Sequence, residues 1–168
     1  MTTEEAETDD SRRRRVEREI AYGRKVHELH QKLYQRFGLL LSVLGVAGLS
    51  APLLVALGGE HSKFAIWAAV IFVGIQAVEW KVTPGEKAGI NAGKAREFHR
   101  LLSGSRKLST DDLEDRLNEL RDNDLTEVDA VRQLAYIKAA QEGAYEDDLQ
   151  PEQLKLSGWT KVIRCFIF

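Results

Sequence analysis

Residues 38 to 59 read GLLLSVLGVAGLSAPLLVALGG, residues 64 to 78 read FAIWAAVIFVGIQAV, and neither stretch holds a charged residue. Only Glu60, His61, Ser62 and Lys63 separate them, and Glu79-Trp80-Lys81 closes the second. A bilayer's hydrocarbon core is about 30 Å thick, which roughly 20 helical residues cross. The first run has that length by itself, and the second reaches it when Ser62 and Trp80 to Val82 are included. The pair predicts an all-α membrane protein built on a two-span transmembrane helical hairpin, with spans at about 38–59 and 62–82.

The bulk composition hides this. At 43% hydrophobic and 30% charged residues, the average describes an ordinary soluble domain, because the apolar residues are concentrated in one quarter of the chain. Charge is segregated as well. Nine bases lie in residues 12 to 36 and seven in 81 to 107, so both flanks of the hairpin are basic, whereas 108 to 150 carry thirteen acids against four bases. Basic flanks predict an inner-membrane, multi-pass protein with both termini cytoplasmic and the turn outside. The lone Cys165 permits no intramolecular disulfide, as suits cytoplasmic bulk, and no signal peptide precedes residue 38.

Working outward, residues 1–11 form an acidic N-terminus too polar to order. The Arg12 to Arg15 run starts a helix whose apolar residues Tyr22, Val26, Leu29 and Leu33 recur at spacings of four and three, and it enters the first span unbroken. Within that span Gly38, Ser42, Gly45 and Gly48 are small enough to let another helix approach closely, and Pro52 predicts a kink. In the second span Gln76 needs a polar partner, and Glu79 lies one turn on. Ser42, Gln76 and Glu79 are thus the candidate pore-lining or interhelix polar residues. Trp67, Trp80 and Trp159 are candidate interface anchors.

Thr83-Pro84 predicts a restart of the helix, after which Gly85, Gly89 and Gly93 fall four apart as a candidate packing stripe. The stretch 12–107 then holds the long first helix, both spans and this continuation. Residues 108–168 form an acidic helical region, with caps at Ser109 or Thr110 and at Thr126, ending in WTKVIRCFIF. That amphipathic aromatic tail suits a membrane interface or a helical partner equally. His27 and His30, three apart, lack the carboxylates or thiols that would complete a metal site, and read as solvated. No phosphate loop, nucleophile elbow or dinucleotide fingerprint occurs, so no enzyme, cofactor or metal is expected. Beside an apolar span, anionic lipid is a nearer partner than nucleic acid for the arginine-rich helix.

The run IQAVEW (75–80), followed by EKAGINAGKAREFHRLL (86–102), resembles the SLATT family of bacterial two-span proteins, although Gly89 and Ile90 stand where that pattern often has a His-Arg pair. The resemblance implies a pore-forming effector of antiphage defence that depolarises the membrane, triggered by a separate sensor or signalling protein. From the residues themselves, the lipid bilayer and further copies of the chain are the expected partners. A phage holin-like pore and a membrane-anchored scaffold recruiting a cytoplasmic partner are the alternatives.

Overall fold

One helix dominates the molecule. α1 (Asp9–Gly58) runs 50 residues without interruption, about 75 Å at 1.5 Å per residue. Asp9 and Asp10 sit in its first turn, where carboxylates suit the positive end of the helix dipole. The computed structural model describes residues 8–58, 62–122, 128–141 and 157–168, without the side chains at 47, 49–58, 62–66, 68, 122, 140 and 141. All elements among these are helical.

α2 (Ser62–Val82) and α3 (Pro84–Gly104) return antiparallel to α1 as one nearly continuous rod. The facing pairs follow a single register down the molecule. Gly48 lies against Phe72, Gly45 against Gln76, Gly38 against Pro84 and Gly23 against Phe98. Between the last two pairs His27 meets Asn91, and further down Arg13 meets Ser105. The rod is interrupted only at Thr83, whose φ of 43° and ψ of 57° place a β-branched residue in the left-handed region. The chain restarts on Pro84, as expected, but the Thr83 side chain makes no capping bond.

Below this neck α1 carries two apolar stripes, each at helical spacing, and each builds a core. Val16 and Ile20 pack with Phe98 and Leu101 of α3 and with Leu113 and Leu117 of α4 (Thr110–Asp122). Val26 and Leu29 pack with Val131, Leu134 and Ala135 of α5 (Asp129–Gln141) and with Ile163 and Ile167 of α6 (Gly158–Ile167). A short 3₁₀ turn, Ser105–Lys107, links α3 to α4. Ser109, not Thr110, caps α4: its Oγ accepts the Asp112 N–H at 3.1 Å and donates to Asp112 Oδ2 at 2.6 Å. The cap expected at Thr126 lies outside the described residues.

The arginine run fastens this base. Arg13 donates to the carbonyls of Ser105 (2.6 Å) and Leu108 (3.2 Å), at the end of α3 and the turn that follows it. Arg12 meets Asp111 at 2.8 Å and donates from Nε to Glu114 at 2.9 Å. Glu114 first, then Asp111, raises the Arg12 pKa above its ordinary value.

The two-span membrane fold is not supported. Among the described residues no helix is long and apolar enough to cross a membrane, which also argues against the multi-pass inner-membrane localisation with both termini cytoplasmic. Arg36 stands two residues before Gly38 on α1, and Lys63, Glu79 and Lys81 stand within α2, so charged residues bound the apolar stretches of both helices. The turn at 59–61 and the Pro52 side chain lie outside the described residues.

Candidate functional site: an apolar hairpin on a polar neck

Above the neck α1 packs on α2. Gly48 permits the approach, because a Cβ there would meet the Phe72 Cβ and Cδ2 at 3.0 Å. At Gly45 the corresponding position lies 3.3 Å from the Gln76 Nε2. Gln76 is exposed, not enclosed, and donates to Glu79 Oε2 of its own helix at 3.5 Å. The outer faces carry large apolar side chains in the open. Leu39, Val43 and Val46 on α1, and Trp67, Ile71 and Val73 on α2, are all more than half exposed.

At the neck, α1, α2 and α3 enclose an open groove of about 690 Å³. It brings together five residues singled out from the sequence: Gly38, Ser42, Glu79, Gly85 and Gly89. Gln31, Gln35, Glu86 and Arg96 add hydrogen-bonding and charged groups of both signs. Gly85, Gly89 and Gly93 touch nothing within 4 Å at their Cβ positions, and the face of α3 that packs inward is instead Ala88, Asn91, Ala95 and Phe98. Trp67 and Trp80 stand exposed on α2, and Trp159 on α6 is remote in the sequence and equally exposed.

Among the described glycines, the tightest position is one that small-residue spacing did not mark. A Cβ on Gly23 would lie 2.6 Å from Phe98 Cε1, and Phe98 stacks on His27 with ring centroids 5.4 Å apart. His27 and His30 are buried, contrary to the solvated reading. Asn91 Nδ2 donates to the Lys87 carbonyl at 2.8 Å, which leaves its Oδ1 to accept from His27 Nδ1 at 2.9 Å. His30 donates from Nδ1 to the Val26 carbonyl (2.9 Å) and accepts at Nε2 from the Val128 N–H (3.0 Å), so it is neutral and of one tautomer. Both histidines continue the four-and-three spacing of Val16, Ile20 and Gly23, the signal by which they could have been placed inside. No group of three or more potential metal ligands occurs among the described residues. The chain matches no protein-family model, curated protein or solved structure against which it was compared.

Proposed function

We propose that the protein is a helical assembly module, a scaffold that self-associates through the apolar hairpin while its base remains a separately packed platform. The observation that carries this is the contrast between the two halves. The base buries its apolar stripes in two cores, whereas the hairpin leaves Leu39, Val43, Val46, Ile71 and Val73 in solvent. Together with Trp67 and Val70, these side chains present roughly 800 Å² of apolar surface, above the few hundred Å² that a monomer ordinarily shows and near one partner's share of a stable interface. A second copy is the favoured cover because both described outer faces are uncharged and of like chemistry, so the surface complements itself. A bilayer pore presupposes two spans that the described helices do not supply, and self-association needs none.

Light scattering on the full chain tests this. The wild type is expected to be a discrete multimer, and Val46→Glu with Ile71→Glu is expected to be monomeric with unchanged helix content. A monomeric wild type, or a double variant that stays assembled, overturns the proposal. So does a chain that is monomeric inside a detergent micelle, because lipid rather than a second copy would then be the cover.

A further inference from the structure

α6 presents a second surface, independent of the hairpin. Its inner face is committed: Ile163 and Ile167 enter the α5 core, and Thr160 Oγ1 donates to Gln133 Oε1 at 2.9 Å. Ser157 caps it by accepting the Thr160 N–H at 3.1 Å, so the helix is held firmly in place. Its outer face is not used. Trp159 is 66% exposed and Val162 58%, three residues apart on one flank, while Lys161 and Arg164 are exposed on the other. No acid occurs in the ten residues of α6.

Neighbouring helices add charge of the same sign. Arg36 donates to the Phe166 carbonyl at 2.8 Å, and the ammonium groups of Lys32 and Lys138 lie 5.9 and 4.7 Å from the centre of the Phe168 ring. These three cations complement the negative end of the α6 dipole, but they also extend the basic field of Lys161 and Arg164. None of the five pairs with a carboxylate among the described residues.

We propose that the outer face of α6, with Lys32, Arg36 and Lys138 beside it, docks peripherally on an anionic lipid surface. Charge complementarity selects an anion, and the form of the face selects a lipid. A single convex helix offers a protein segment no groove to enter, but it can lie against a plane. On that plane the indole and valine flank enters the headgroup layer and the basic flank meets phosphates. The contact lies on the surface and crosses nothing.

Co-sedimentation of the full chain with vesicles tests the assignment. Phosphatidylcholine vesicles containing phosphatidylglycerol are expected to bind the protein and pure phosphatidylcholine vesicles are not, with binding lost at high salt. Lys161→Glu with Arg164→Glu is expected to weaken partitioning about tenfold or more, and Trp159→Ala a few-fold. All three side chains are exposed, and unchanged circular dichroism shows that the variants fold. Equal binding to neutral vesicles, undiminished binding by the double variant, or capture by polyglutamate without capture by vesicles overturns the proposal. Because the hairpin residues are untouched, failure here leaves self-association standing, and the reverse also holds.

Discussion

Phe98 leaves room for nothing larger than hydrogen at Gly23, and its ring cannot retreat because it is 1% exposed and stacked on His27. Gly23→Ala is therefore expected to destabilise the fold, since overpacking of about 1–3 kcal/mol exceeds the roughly 1 kcal/mol gained in helix propensity. Gly89→Ala provides the contrast. With open space at its Cβ position, propensity acts alone and the variant gains up to about 1 kcal/mol. Urea midpoints at constant slope measure both, and a stabilised Gly23→Ala would refute the contact. The four-residue spacing of Gly85, Gly89 and Gly93 predicts a packing stripe there, whereas within the chain the tight glycine contact falls at Gly23. A four-residue spacing fixes a stripe but does not say which side of the helix the neighbour occupies. Here the neighbour lies along Ala88, Asn91, Ala95 and Phe98, one stripe away.

At the scale of elements, α5 is tied to α1 by a side chain standing in for a cap. His30 Nε2 takes the Val128 N–H, a donor that the first turn of a helix leaves without a partner. His30→Ala removes that acceptor and leaves a space within the core, so a loss of about 2–3 kcal/mol is expected. Hydrogen exchange should find the loss in the amides of α5 and α6, with those of α3 and α4 still protected. Uniform deprotection would show that His30 supports the whole base instead. Most helices were legible from periodicity and punctuation: the α1 stripe of Val26 and Leu29, the α3 restart at Pro84, the amphipathic tail that forms α6. What escaped was polar chemistry placed inside, because a histidine at a core position looks like a solvated one until the asparagine or backbone amide that satisfies it is known.

Across the whole molecule the base is two cores threaded on one helix, Val16 and Ile20 serving one and Val26 and Leu29 the other. Leu117→Ala should cost about 2–5 kcal/mol in the α3–α4 half and Ile163→Ala a comparable amount in the α5–α6 half. Exchange protection should fall mainly in the half that was cut, and identical profiles for both variants would make the base one cooperative unit. The long hairpin itself was readable from two uncharged runs with a polar turn. The membrane around it was inferred from run length in one dimension, and that is the part the described helices do not bear out. The neck also has a mechanical meaning. One side of it is the unbroken rod of α1, and the other is jointed at Thr83, where a proline has removed the next amide. Such a post resists stretching along α1 yet yields where the jointed side is pushed or pulled, as a knee does. A sideways load on α2 is therefore expected to turn it at Thr83 and to change the width of the groove that Gly38 and Gly85 line.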